Sequence, residues 1–186
     1  MEAFLISVGL VALAEIGDKT QLLAIVLAAR FGKPWPILAG ILLATIANHG
    51  LASAVGVYAG GILDGPWIRW VLGVAFLVFA AWTLIPDKFD DKDHPKASSS
   101  GVFITTLIAF FLVEMGDKTQ VATVAMAARF QSILLVAAGT TVGMMIANAP
   151  AVFIGEAAAE KLPMKWIRIA AASAFAAIGV WVLLAG

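Results

Sequence analysis

The sequence predicts an all-α integral membrane protein with six transmembrane helices, arranged as two inverted repeats of three helices. First, 62% of the 186 residues are hydrophobic and only 13% are charged, about half the charged share of a soluble domain. Second, six apolar segments approach or exceed the roughly 20 residues that cross a bilayer core. Third, the second half of the chain repeats motifs of the first. Twelve basic residues balance twelve acidic ones, so net charge gives no reason to expect a nucleic-acid partner.

The predicted spans follow one another at residues 4–29, 37–60, 67–85, 102–128, 133–154 and 166–185. The first span has no basic segment before it and runs beyond the length of a signal peptide, so we expect it to be retained. The stretch "PDKFDDKDHPKASSSG" between the third and fourth spans collects charge, Pro and Ser, which is typical of an exposed linker. The expected organisation is a first repeat at 1–86, a cytoplasmic linker at 87–101 and a second repeat at 102–186.

The repeat is defined by one constant offset. "EIGDKTQ" beginning at Glu15 matches "EMGDKTQ" beginning at Glu114, a shift of 99 residues. "AARF" and "WIR" recur at the same shift, and "IAN", which ends at Asn48 and at Asn148, recurs with one extra residue. An odd number of spans in each copy makes the second copy enter the membrane from the opposite side. Such inverted repeats are common in transporters, with the substrate site near the midplane.

The distribution of basic residues predicts the orientation, since Lys and Arg concentrate in cytoplasmic loops. The side opposite to the termini carries eight of them and the other side carries two, Arg69 and Arg129. We therefore expect both termini outside the cell and the linker in the cytoplasm. The eight are Arg30, Lys33, Lys88, Lys92, Lys96, Lys161, Lys165 and Arg168.

The two acidic motifs are the candidate functional site. On a regular helix of about 100° per residue, Glu15, Asp18 and Gln21 share one face, and Lys19 is placed to pair with Glu15. Thr20 is expected to point away from them, toward the preceding turn. Gly17 lies between the acids, where it either permits close helix approach or loosens the helix and frees carbonyl ligands. The second copy repeats the pattern with Glu114, Gly116, Asp117, Lys118, Thr119 and Gln120.

The cost of burying charge predicts that these motifs meet. One acid at the centre of a bilayer costs about 2.5 to 3.5 kcal/mol, so the acids and lysines should face one another between the repeats. Four carboxylates and two lysines carry a formal charge of −2, which one divalent cation neutralises. Protons can neutralise the same oxygens when the metal leaves. Competition between metal and protons for one set of ligands is the basis of a cation/proton exchanger.

The ligand types restrict the metal, since Cys is absent from the chain and His from both motifs. Oxygen ligands suit Ca²⁺, Mg²⁺ and Mn²⁺, and the reluctance of Mg²⁺ to lose water favours Mn²⁺ or Ca²⁺. We expect no cofactor and no catalytic group. His49 has no counterpart in the second repeat and is expected to be a satisfied buried histidine, with a proton relay as the alternative. The predicted metal ligands are Glu15, Asp18, Gln21, Glu114, Asp117 and Gln120, and the predicted pathway residues are Asn48, Asn148, Lys19, Lys118, Thr20 and Thr119.

The motifs "EIGDKT" and "EMGDKT", one in each three-helix repeat, resemble the paired E-x-G-D-[KR]-[ST] motifs of a family of small membrane cation exchangers. That family includes the Golgi manganese/calcium transporters of eukaryotes and the MneA-type manganese exporters of bacteria. The resemblance covers nearly the whole chain outside the linker. It implies export of Mn²⁺, with Ca²⁺ as a further substrate, from the cytoplasm in exchange for protons. It also implies a bacterial inner-membrane protein and carries over the acids Glu15, Asp18, Glu114 and Asp117.

Two other functions are compatible with an intramembrane acidic site. An exporter of small organic cations such as basic amino acids would also need carboxylates, but the midplane lacks the repeated aromatics that bind such cations. An intramembrane lipid-phosphate hydrolase would need a nucleophile or base beside converging arginines, which neither motif contains. The sequence leaves open the choice between Mn²⁺ and Ca²⁺, the proton stoichiometry and the oligomeric state.

Overall fold

The computed structural model describes residues 1–62, 65, 67–85, 101–154 and 163–185. These residues form helices without a strand among them, in agreement with the all-α prediction. The linker predicted at 87–101 lies outside the described residues except for Gly101, so its exposure stays a prediction. The helices are α1 (Glu2–Glu15), α2 (Lys19–Phe31), α3 (Pro34–Ile62), α4 (Ile68–Thr83), α5 (Gly101–Glu114), α6 (Lys118–Phe130), α7 (Ile133–Ile154) and α8 (Met164–Ala185).

The acidic motifs interrupt the first and fourth predicted spans, so the prediction of two regular helices there is wrong. Gly17 and Gly116 adopt φ values of 79° and 81°, a left-handed conformation that glycine reaches without a steric penalty. The following aspartate begins the next helix in each case. Asp18 accepts a hydrogen bond from the backbone N–H of Lys19 at 2.7 Å, and Asp117 accepts one from that of Thr119 at 3.4 Å. The glycine ends one helix and the aspartate caps the next.

Three of the described helices are long and apolar enough to cross a bilayer, namely Pro34–Ile62, Ile133–Ile154 and Lys165–Leu184. Two shorter helices, α4 and α5, are also apolar. α1 and α2 contain 14 and 13 residues, each too short to cross a bilayer core alone. These lengths and compositions are those of a membrane protein. The arrangement as six spans in two inverted repeats stays a prediction.

The two halves of the chain interlock through the helices that precede the breaks. α1 packs along α7, and α5 packs along α3. Glycines on α7 and α3 let the helix backbones approach closely. A Cβ added at Gly143 would lie 2.7 Å from the Val8 carbonyl oxygen, and a Cβ added at Gly40 would lie 2.9 Å from the Phe103 carbonyl oxygen. Small residues at helix contacts are typical of packing in membranes. This packing carries the end of α1 and the end of α5 into the interior, where the acidic residues lie.

Candidate metal centre

Three carboxylates from the two motifs converge in the interior. Glu15, Glu114 and Asp117 each offer one oxygen, and these oxygens all lie within 4.8 Å of one another. The three residues are between 0% and 4% exposed. Glu15 ends α1, Glu114 ends α5 and Asp117 caps α6, so the two breaks place them. Such a group can hold a metal ion that prefers oxygen ligands.

A threonine orients each glutamate and leaves one of its oxygens available. Thr20 Oγ1 donates to Glu15 Oε2 at 2.5 Å, and Thr119 Oγ1 donates to Glu114 Oε1 at 2.6 Å. The second oxygens, Glu15 Oε1 and Glu114 Oε2, are buried and have no hydrogen-bond partner within the described part of the chain. The expectation that Thr20 points away from the acids is wrong, because the break at Gly17 lets the first turn of α2 face the end of α1.

Lys19 connects the two motifs rather than pairing within its own. Its Nζ lies 3.0 Å from Asp117 Oδ1, so the expected pairing with Glu15 on a regular helix is not the one formed. Lys118 occupies the equivalent position in the second motif, and its Nζ donates to the Ile85 carbonyl at 3.2 Å. The two lysines therefore have different surroundings. Lys19 is a cation in direct contact with the carboxylate group.

Asp18, also a predicted ligand, lies outside the group of three carboxylates. Its side chain caps α2 and lines a small cavity together with Lys118, Thr119 and Arg168. The structure thus brings three of the four predicted acids together and places the fourth beside basic side chains.

The two glutamines of the motifs form hydrogen bonds to the backbone at the helix breaks. Gln21 Oε1 accepts from the Gly17 N–H at 2.8 Å, and Gln120 Oε1 accepts from the Gly116 N–H at 2.6 Å. Their amide nitrogens reach across to the long helices: Gln21 Nε2 donates to the Ala147 carbonyl at 2.9 Å. In this arrangement the predicted ligand oxygens of both glutamines are occupied by backbone N–H groups.

The paired asparagines occupy equivalent positions with different partners. Asn48 Nδ2 donates to the Phe111 carbonyl at 3.0 Å, and Asn48 Oδ1 accepts from Gln120 Nε2 at 3.3 Å. Asn148 instead bonds within α7, to the Met144 carbonyl at 3.1 Å, and its Oδ1 is a buried acceptor without a partner in the described residues. Asn48 is therefore hydrogen-bonded to the second motif through Gln120, whereas Asn148 Oδ1 has no hydrogen-bond partner among the described residues.

His49 approaches the carboxylates although sequence reasoning gave it no part in metal binding. It is 0% exposed, and its Nε2 lies 3.6 Å from Glu114 Oε1. Neither ring nitrogen has a hydrogen-bond partner among the described residues, so the expectation of a satisfied buried histidine is wrong. The sequence does contain one indication that His49 lies near the site: it directly follows Asn48, a predicted pathway residue.

Comparisons with known proteins identify the family of the chain. A sequence model of the family described as "Divalent cation/proton antiporter GDT1" matches residues 3–91 and 102–186. The chain is 49% identical over 176 residues to the "Putative manganese exporter" of Vibrio cholerae, covering 94% of this chain and 87% of that protein. It is 25% identical to GDT1-like protein 5 of Arabidopsis thaliana, covering 99% and 96%. No solved structure matches. The chain therefore belongs to the GDT1 family of divalent cation/proton antiporters, and the resemblance seen in its motifs is confirmed.

Proposed function

We propose that the protein exports Mn²⁺ from the cytoplasm in exchange for protons, with Ca²⁺ as a second substrate of the same site. The observation that carries the proposal is the convergence of Glu15, Glu114 and Asp117 from two separate motifs. The name of the Vibrio cholerae relative supports manganese as the substrate. The family supports exchange against protons.

The charge of the site explains the exchange. Three ionised carboxylates and the Lys19 ammonium carry a net formal charge of −2, which one divalent cation balances. A carboxylate must be deprotonated to bind metal, so metal binding releases protons and protonation releases metal. The unpartnered oxygens Glu15 Oε1 and Glu114 Oε2 are the atoms for which the ion and the protons compete.

Alternating access follows from the proposed inverted repeats, 1–86 and 102–186. Each motif lies at a break between two helices, as in transporters whose ion sites lie at discontinuous spans. The packing of α1 on α7 and of α5 on α3 is equivalent under exchange of the repeats. Lys19 Nζ pairs with Asp117 and Lys118 Nζ donates to the Ile85 carbonyl, a difference between the repeats that is expected if one of two access states is present.

The proposed location is a bacterial inner membrane, with both termini outside and the linker at 87–101 in the cytoplasm. The asymmetric distribution of Lys and Arg supports this orientation. Export in this orientation carries Mn²⁺ from the side of the linker to the side of the termini, while protons enter.

Transport by the purified protein in proteoliposomes tests the proposal. Mn²⁺ flux should be driven by a pH gradient and should be unaffected by excess lysine, which an exporter of organic cations would bind. Glu15→Gln and Asp117→Asn should abolish the flux, because each removes a charged ligand while keeping its shape. Glu2→Gln is the matched control, since Glu2 is an exposed acid at the start of α1. Unchanged flux in Glu15→Gln or Asp117→Asn would contradict the site assignment.

A further inference from the structure

Two arginines line one cavity at one end of the helices. The cavity has a volume of about 460 Å³ and lies where α3 and α6 end and α4 begins. Arg69 is in the first turn of α4, and Arg129 is in the last turn of α6. They are the two basic residues that the predicted orientation assigns to the side of the termini. The structure brings both of them to the same cavity.

The charge of this cavity favours an anion. No acidic side chain is among the described residues that line it, and two half-buried like charges repel each other unless an anion lies close to both. Arg129 is held against α8, with its guanidinium carbon 4.9 Å from the centre of the Trp181 ring. Its Nε is buried and has no hydrogen-bond partner among the described residues. A buried donor of this kind indicates a ligand outside the polypeptide, and the planar guanidinium matches a phosphate.

Gln131 is a third polar side chain of the same cavity. Its φ is 48°, whereas Gly32 occupies the equivalent place in the first repeat. Residues held in such a strained backbone conformation cluster at ligand sites. Gln131 Nε2 donates to the Ala128 carbonyl at 2.6 Å, and an amide nitrogen carries two hydrogens. The second hydrogen is available to an anion in the cavity.

The equivalent arginines of the other repeat are arranged differently. Arg30 is equivalent to Arg129 in the repeated "AARF", but it is exposed at the end of α2. Arg168 is equivalent to Arg69 in the repeated "WIR", but it lines the small cavity that also contains the acid Asp18. The repeat therefore supplies the residue types twice, whereas the cavity at the ends of α3 and α6 combines two arginines without an acid among its described lining residues.

The surroundings of the cavity are those of a membrane interface. Trp67 and Trp70, on either side of Arg69 in the sequence, are 47% and 54% exposed, as in the aromatic belts at the level of lipid headgroups. Apolar side chains, among them Ile68 and Leu72, line the cavity beside the arginines. Charged and apolar lining in one cavity suits an amphiphile, and basic pockets between membrane helices bind lipid headgroups.

We propose that Arg69 and Arg129 bind a phosphate group in this cavity, and that the headgroup of an anionic phospholipid supplies it. The site differs from the carboxylate group in charge and in place, because Asp117 caps the opposite end of α6 from Arg129. The inference does not depend on the proposed transport function, since lipid binding can be measured without metal or flux.

Native mass spectrometry of the full chain in detergent, titrated with phosphatidylglycerol, tests the inference. The wild type should bind one phosphatidylglycerol more tightly than it binds phosphatidylcholine. Arg129→Gln should weaken binding of that first lipid about 10–100-fold, because it removes charged hydrogen-bond donors from the phosphate. Arg30→Gln is the matched control, since an arginine that is only attracted to anionic lipid contributes at most about fivefold. Equal effects of the two substitutions would overturn the inference.

Photo-crosslinking of the wild type locates the lipid without any substitution. A phosphatidylglycerol with a photoactivatable headgroup should label peptides that contain Arg69 or Arg129, and labelling confined to other peptides would overturn the inference. Inorganic phosphate distinguishes the source of the group. If it does not displace the lipid, the headgroup is the ligand; if it binds alone and loses affinity in Arg129→Gln, the phosphate site stands with a free anion as its source. Binding of neither phosphatidylglycerol nor inorganic phosphate would refute the site.

Discussion

Replacement of Gly116 by alanine tests whether the second motif breaks its helix. Gly116 has φ = 81°, and a Cβ added there meets no atom within 4 Å. The substitution therefore isolates backbone strain from steric contact. A left-handed conformation costs an L-residue about 1–2 kcal/mol, and we expect the free energy of unfolding to fall by that amount.

Gly9→Ala is the matched control. Gly9 lies inside α1, and a Cβ there also meets nothing within 4 Å. Alanine within a regular helix is more stable than glycine by about 0.5–1 kcal/mol, so this variant should be slightly stabilised. Both free energies can be measured by reversible unfolding in mixed micelles, followed by the fluorescence of the tryptophans. If Gly116→Ala is as stable as the wild type or more stable, the span is a regular helix and the reasoning fails.

Three further predictions concern the contacts around the site. A double-mutant cycle of Lys19→Met and Asp117→Asn should give a coupling energy of about 0.5–3 kcal/mol in unfolding, since their ion pair joins the two motifs; a coupling near zero would show that the pair does not form. Thr20→Val should weaken Mn²⁺ binding about 10–100-fold in a calorimetric titration, because it removes the hydrogen-bond donor that orients the ligand Glu15. Thr105→Val is the control: it removes a hydrogen bond to the backbone of its own helix and should leave Mn²⁺ binding unchanged. Gly143→Ala should lower the free energy of unfolding by about 1–3 kcal/mol through overpacking against α1, and equal stability would mean that the two helices are not in close contact.

The convergence of the acids was predictable because it follows from energetics rather than from local geometry. Glu15 and Glu114 are equivalent in the repeat, and neither can face lipid. Their meeting required only that the two motifs approach each other. All four acids were predicted to converge, and the structure keeps Asp117 in the group but leaves Asp18 outside it, a difference between equivalent residues that a repeat in the sequence cannot reveal.

The break in the helix was open at the sequence level because a glycine between two acids suits both a close helix contact and a left-handed turn. The assumption of a regular helix then assigned wrong partners to Lys19 and Thr20, since a break changes which side chains face each other. His49 was misjudged for another reason. The repeat emphasises residues that occur twice, whereas His49 occurs once and contacts the motif of the other half.

The central proposal, that the two motifs form one cation site, is tested most directly by locating the ion. A structure of the Mn²⁺-loaded protein with anomalous diffraction at the manganese edge would show the ion and its ligands. We expect one manganese peak within bonding distance of Glu15, Glu114 and Asp117 together. Separate peaks at each motif, each bound by the acids of one repeat alone, would contradict the proposal.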